Sequence, residues 1–210
     1  MAEVAARKKR ATAILKVLQR LFPDAGMALK FRTPWECMVA VQLSAQCTDK
    51  KVNEVTAKLF KKYRTLDDYV RAQPREFEKD IRSTGFYRNK TRNILSAAKM
   101  VKEKFSGRLP RTMNEMLTIP GVARKTANVV LGNVYDVVQG IAVDTHVRRL
   151  SRQLGLTKQT DPVKIERDLM ALYPEKEWFQ LTYRLIEYGR TYSPAHKKDH
   201  SDEPLAKYYV

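Results

Sequence analysis

The chain has 210 residues, of which 43% are hydrophobic, a composition typical of a folded globular protein with one or two domains. Its 40 Lys and Arg residues against 23 Asp and Glu residues give a formal net charge of +17, which favours nucleic acid as a partner. No apolar stretch is long enough to cross a bilayer, and the N-terminus lacks the features of a secretory signal. We therefore expect a cytoplasmic protein with no membrane association.

The hydrophobic periodicity is helical along almost the whole chain. Thr33 and Pro34 have the pattern of an N-cap followed by proline at the first helical position. No segment alternates as a strand does, so the predicted fold class is all-α. The predicted helices span Ala11–Leu21, Trp35–Leu43, Thr48–Tyr63, Leu66–Ala72, Pro74–Ile81 and Lys90–Phe105.

Two breaks in this pattern, at Pro23–Gly26 and Tyr135–Gly140, suggest a division into two lobes. Residues 27–137 have the size of a compact helical domain. Residues 1–26 and 138–210 would then form the second. Only two cysteines occur, Cys37 and Cys47, and two thiols cannot supply a four-thiolate cluster. We expect both to be buried and inert.

The most informative segment is Leu117–Leu131, LTIPGVARKTANVVL. It predicts a helix that ends at Ile119-Pro120, a tight turn, and a second helix that starts near Arg124. A turn that opens into a helix N-terminus presents unpaired amides and a positive dipole end, which suit a DNA phosphate. An ordinary connection between two helices explains the pattern equally well.

Four blocks together resemble the endonuclease III family, in the family's order and at similar spacing between Phe31 and Arg190. The resemblance implies a two-lobed, all-α DNA glycosylase fold. Residues 27–137 would be its six-helix, barrel-like domain with the helix-hairpin-helix motif, and the remainder would correspond to the family's cluster domain. The blocks are LSAQCTDKKVN (Leu43–Asn53), STGFYRNKTRNI (Ser83–Ile94), Leu117–Leu131 and IAVDTHVRRLSRQLG (Ile141–Gly155).

The resemblance implies a bifunctional glycosylase and abasic-site lyase that acts on duplex DNA with damaged pyrimidines. Lys125 matches the nucleophile that attacks the sugar, and the first turn of a helix beside Arg124 favours its neutral amine. Asp144 matches the family's essential aspartate. The alternatives are a phosphate-contacting lysine and a plain N-cap aspartate, since Asp144 precedes the helical pattern of Val147 and Leu150.

Further residues are expected to contact DNA by resemblance. Gln46 is the wedge that enters the base stack, and Phe86 stands where the family usually has an aliphatic residue. A helix cap and a core aromatic are the respective alternatives. The remaining expected DNA contacts are Gly121, Ala123, Arg124, Thr126 and His146.

The sequence departs from the family at two places. Most relatives carry four cluster-binding cysteines after a Gly-Arg pair, but no cysteine follows Gly189-Arg190, so we expect no iron–sulfur cluster and no other cofactor. His196 and His200 have metal-like spacing, although a solvated tail is the simpler interpretation. Ala123 replaces the hairpin's second glycine, which weakens the anion site if the turn needs a positive φ.

Two rival functions remain open at this point. One is a monofunctional glycosylase that excises mismatched bases with little lyase activity, against which Lys125 argues. The other is a DNA-binding protein without catalytic chemistry, which uses the hairpin as a clamp. For the bifunctional repair enzyme we expect a monomer that is associated with the nucleoid.

Overall fold

The structure is a computed structural model that describes residues 2–210. These residues form α-helices and short 3-10 turns, with no β-strand. The helices are α1 (Ala2–Leu21), α2 (Pro34–Leu43), α3 (Asp49–Lys62), α4 (Leu66–Arg71), α5 (Pro74–Ile81), α6 (Tyr87–Lys104), α7 (Met113–Met116), α8 (Arg124–Tyr135), α9 (Thr145–Gln153), α10 (Pro162–Leu172) and α11 (Glu175–Thr191). The predicted all-α class is confirmed.

Local sequence signals place most helix ends correctly. Thr33 caps α2 by accepting a hydrogen bond from the amide of Glu36, with proline in the first turn as predicted. Helix α1 begins at Ala2 and not at Ala11, because its first residues are good helix formers without an apolar stripe. The first helix of the predicted hairpin is a single turn that ends at Met116, before Ile119-Pro120.

The chain divides into two compact units. The middle unit is Met27–Val137, and the terminal unit combines the chain up to Gly26 with Val138–Val210. In the part of the middle unit's chain that the structure describes, six helices of six or more residues accompany the one-turn α7.

Helix α2 lies at the centre of the middle unit, where Glu36–Leu43 are all buried and α3, α6 and α8 pack against it. An aromatic cluster closes one end of this core, with Trp35 and Tyr69 ring centroids 5.3 Å apart. Cys37 is buried as expected, whereas Cys47 is only half-buried because it lies beyond the end of α2. The expectation that both cysteines are buried is wrong for Cys47.

The terminal unit has its own core, built by α1, α9, α10 and α11. Leu205 is fully buried in it, and Tyr192, Tyr208 and Tyr209 pack against it. The C-terminal segment is therefore part of the folded unit. No helix among residues 2–210 is long and apolar enough to span a membrane.

Candidate functional site

The hairpin turn in the middle unit depends on glycine at position 121. Gly121 has a φ of +76°, and a Cβ at this position would lie 2.8 Å from the Cβ of Asn93. The same Cβ would lie 3.0 Å from Oε1 of Gln42, whose Nε2 donates a hydrogen bond to the carbonyl of Pro120 at 3.2 Å. Helices α2 and α6 therefore fix the turn through direct contact with its backbone.

Ala123 does not need the conformation that favours glycine. It is the N-cap of α8 with extended backbone, φ −94° and ψ 171°. Its side chain cannot cap the helix, whereas Thr33 and Thr48 cap α2 and α3. The first turn of α8 thus begins without a side-chain acceptor at the N-cap, and the positive end of the helix dipole there favours a negatively charged group.

Lys125 is the second residue of α8 and is half-buried, as are its neighbours Arg124 and Thr126. The first turn of the helix therefore brings an amine, a guanidinium and a hydroxyl together directly after the Gly121 turn. An amine of this kind can act as a nucleophile, and a guanidinium and a hydroxyl can bind an anion. The structure places five of the expected site residues, Gly121, Ala123, Arg124, Lys125 and Thr126, in this one segment of the middle unit.

Asp144 and His146 lie in the terminal unit. One carboxylate oxygen of Asp144, Oδ1, accepts a hydrogen bond from the amide of Val147 at 2.8 Å, so Asp144 is the N-cap of α9. The preceding segment is fixed by the hydroxyl of Thr182, which donates to the carbonyl of Ala142 at 3.1 Å. Capping therefore fixes the orientation of the half-buried carboxylate.

The imidazole of His146 packs against the backbone of Gly189. A Cβ at position 189 would lie 2.5 Å from Nδ1 of His146, so only glycine leaves room for the ring. Burial lowers the pKa of His146 below its ordinary value, and Arg190 and Arg149 lower it further, while Asp144 acts in the opposite direction. The neutral imidazole is therefore the favoured form at neutral pH.

Gln46 and Phe86 are both exposed residues of the middle unit with left-handed backbone, with φ of 53° and 48°. Thr48 caps α3, so Gln46 is not the cap of that helix. Phe86 is 64% exposed, so it is not a core aromatic. Non-glycine residues adopt this conformation at a cost of about 1–2 kcal/mol. Two such residues in the predicted DNA-contacting blocks are consistent with a shape maintained for binding.

The C-terminal segment lacks the thiolates that an iron–sulfur cluster needs. The only two thiols of the chain are on the middle unit, and residues 2–210 contain no group of three or more His, Cys, Asp or Glu side chains arranged to hold a metal. After Gly189-Arg190, the segment is held instead by the fully buried carboxylate of Glu203. Tyr188 and Tyr209 donate hydroxyl hydrogen bonds to it at 3.0 Å and 2.5 Å, and Nδ1 of His200 lies 2.7 Å from its second oxygen. The residues present do not fit a four-thiolate cluster.

Three residues support the site in a way that was not predicted from the sequence: Gln42, Lys90 and Asn93. Gln42 and Asn93 contact the hairpin turn, and Lys90 is buried between two loops. Lys90 did carry a signal, because it occupies the apolar stripe of α6 one turn before Ile94. A lysine in a core-facing position indicates a specific partner for its ammonium group.

Comparison with known proteins agrees with this arrangement. Residues 39–175 match the model of the HhH-GPD superfamily base excision DNA repair protein. Endonuclease III of Synechocystis sp. is 48% identical over 195 residues, which are 93% of this chain and 89% of that protein. A solved non-covalent endonuclease III–DNA complex superimposes with a TM-score of 0.92 at 43% identity, covering 96% of this chain and 94% of that one. A trapped endonuclease III–DNA covalent intermediate gives the same TM-score and identity, covering 96% of this chain and 95% of that one.

Both the family match and the identities extend over most of the chain, including the segments that carry Gln46, Phe86, Lys125 and Asp144. The chain belongs to the HhH-GPD superfamily of base excision DNA repair proteins and, within it, to the endonuclease III family of DNA glycosylases and abasic-site lyases.

Proposed function

We propose that the chain removes damaged pyrimidines from duplex DNA and cleaves the resulting abasic site, with Lys125 as nucleophile. The observation that carries the proposal is the position of Lys125 in the first turn of α8, directly after the Gly121 turn and beside an N-terminus open to a phosphate. The trapped covalent intermediate of the related endonuclease III supports a route through a protein–DNA bond.

The chemistry begins with the amine of Lys125 as the nucleophile. The lone pair of Lys125 Nζ attacks C1′ of the damaged nucleotide, and the bond from C1′ to the base breaks with its electrons leaving on the base, which takes up a proton. Opening of the sugar gives a Schiff base between Nζ and C1′. Loss of a proton from C2′ then expels the 3′ phosphate, and this β-elimination cuts the strand. Asp144 stabilises the positive charge on the sugar and assists the proton transfers.

The remaining residues bind and distort the duplex. The amides after Gly121 and Ala123 receive a phosphate, and Arg124, Thr126 and His146 add contacts to the backbone. Gln46 enters the space left by the extruded base, and Phe86 stacks against the opposite strand. Double-stranded DNA with a damaged base or an abasic site is thus the proposed partner.

The two units take the parts that the family resemblance implies. The middle unit is the six-helix, barrel-like domain with the hairpin, and the terminal unit is the family's cluster domain. In this chain the Glu203 hydrogen bonds take the place of the cluster, so we propose that the protein works without one. We also propose that it is a monomer in the cytoplasm, associated with the nucleoid. It binds no other cofactor.

The test uses a duplex with one oxidised pyrimidine and measures free-base release and strand cleavage in single turnover. Lys125→Ala should lose both activities by about 10³-fold or more. Lys79→Ala, which removes an exposed lysine on α5, should leave both unchanged. Base release that survives in Lys125→Ala would support the mismatch-type monofunctional glycosylase. Binding without base release by the wild-type protein would support a plain DNA clamp.

A further inference from the structure

A buried lysine joins the two segments that lead into Gln46 and Phe86. The ammonium of Lys90 donates hydrogen bonds to the carbonyls of Leu43 and Thr84, each at 2.8 Å. Lys90 is only 5% exposed, and its own amide donates to the carbonyl of Phe86 at 3.0 Å. One side chain of α6 is therefore hydrogen-bonded to the chain before Gln46 and to the chain before Phe86.

The two carbonyls accept these bonds because each ends a helical segment. Leu43 is the last residue of α2, and Thr84 is the last residue of the 3-10 turn Arg82–Thr84. Carbonyls at a C-terminus lack an intrahelical partner and carry the negative end of the helix dipole. An ammonium group supplies both the missing hydrogen-bond donor and a positive charge.

Packing alone does not account for a lysine at this position. Burial lowers the pKa of Lys90, so the folded protein gives up part of the ammonium's hydration. A methionine of similar length fills the same space without that loss, but it leaves two buried carbonyls without donors. The lysine is thus suited to holding two chain segments together.

Each of the two segments leads into a residue with strained backbone. Gln46 follows Leu43 by three residues, Phe86 follows Thr84 by two, and both have the left-handed backbone that needs support from its surroundings. Fixing a carbonyl two or three residues before each of them limits where the side chains of Gln46 and Phe86 can move.

We infer that Lys90 is a positioning residue for base extrusion, which holds the Gln46 and Phe86 loops in one fixed relation so that both enter the duplex together. The inference rests on the proposed roles of Gln46 and Phe86. Lys90 does not touch the reacting atoms. Its loss therefore acts on the step that takes a base out of the stack and leaves the Lys125 chemistry intact. An abasic site has no base to extrude, so cleavage there depends less on the two loops.

The experiment compares two rates in the wild-type protein, Lys90→Met and the control Lys79→Met. One is base release from a duplex with an oxidised pyrimidine, and the other is cleavage of the same duplex with a preformed abasic site. For Lys90→Met we expect base release to fall by about 10- to 100-fold, as for a displaced positioning group, and cleavage by less than about threefold. Lys79→Met should change neither rate.

Equal losses in both rates, or no loss in either, would overturn the inference, because a general structural defect lowers both together. Lys90→Gln keeps a polar donor and gives the same comparison if Lys90→Met does not fold. A wild-type protein that neither releases base nor cleaves the abasic site refutes the proposed function itself, and the role of Lys90 with it. If the wild-type protein is active in both assays, the absence of the expected difference in the Lys90 variant refutes only the role of Lys90.

Discussion

Oδ1 of Asp144 accepts a hydrogen bond from the amide of Val147 at 2.8 Å, so the proposed catalytic carboxylate also begins helix α9. The two roles can be separated by substitution, because asparagine caps a helix about as well as aspartate. Asp144→Asn should keep the melting temperature and lose base release by about 10²- to 10⁴-fold. Asp144→Ala should lose activity and also about 1 kcal/mol of unfolding free energy. Full activity in Asp144→Asn would mean that the residue is only a cap.

The hairpin turn provides a second prediction. Gly121→Ala combines a φ of +76° with a contact of 2.8 Å to Asn93, so we expect a loss of about 1–3 kcal/mol in unfolding free energy and at least tenfold weaker binding to duplex DNA. Ala123→Gly is the matched control, since the extended backbone of Ala123 suits any residue. Its DNA affinity should stay within about twofold of wild type at fixed salt. Tighter binding in Ala123→Gly beyond that range would show that the turn needs a second glycine.

His146 should make the terminal unit sensitive to acid. Its pKa is lowered in the folded protein, so near pH 6.5 the unfolded chain takes up a proton that the folded chain does not. Its contribution to stability is thus fully present above about pH 6.5 and is lost as the pH falls toward the lowered value. Urea unfolding between pH 8 and pH 5 should show this slope in the wild type and in His196→Asn, which alters an exposed histidine. His146→Asn should reduce the slope, and an unchanged slope would contradict the assignment.

The carboxylate of Glu203 should be a main anchor of the C-terminal segment. Burial raises its pKa, but the hydrogen bonds from Tyr209, His200 and Tyr188 outweigh burial and leave the pKa below its ordinary value. Glu203→Gln should therefore cost about 2 kcal/mol of unfolding free energy at pH 7, because it removes charge-assisted hydrogen bonds from a buried site. Asp202→Asn, which changes an exposed carboxylate next to it, should cost less than about 1 kcal/mol. Equal stability of the two variants would mean that the charge of Glu203 does not anchor the segment.

The sequence was sufficient for the fold class and for most helix boundaries, because apolar periodicity, threonine N-caps and proline at first helical positions are local signals. Helix α1 was underestimated because its first half has helix propensity without a buried stripe. The first hairpin helix was overestimated because the chain after Met116 does not continue the α-helix, although Leu117 and Ile119 are apolar.

The candidate site was only partly accessible from the sequence. Asp144 as an N-cap follows from its position before an amphipathic helix, but the left-handed backbone of Gln46 and Phe86 has no sequence signature of the kind that glycine provides. The support from Gln42, Asn93 and Lys90 depends on contacts between residues far apart in the chain, which only the folded structure supplies. The Glu203 hydrogen bonds were missed for the same reason.

The most direct test of the central claim is borohydride trapping on a duplex with one abasic site, comparing the wild type with Lys125→Ala. Reduction converts a Schiff base between the lysine amine and C1′ into a stable covalent bond, which a denaturing gel detects as a shifted protein–DNA band. We expect a strong adduct from the wild type and none from Lys125→Ala at equal DNA occupancy. An adduct of equal yield from Lys125→Ala, or none from a wild-type protein that binds the duplex, would contradict the assignment of Lys125 as the nucleophile.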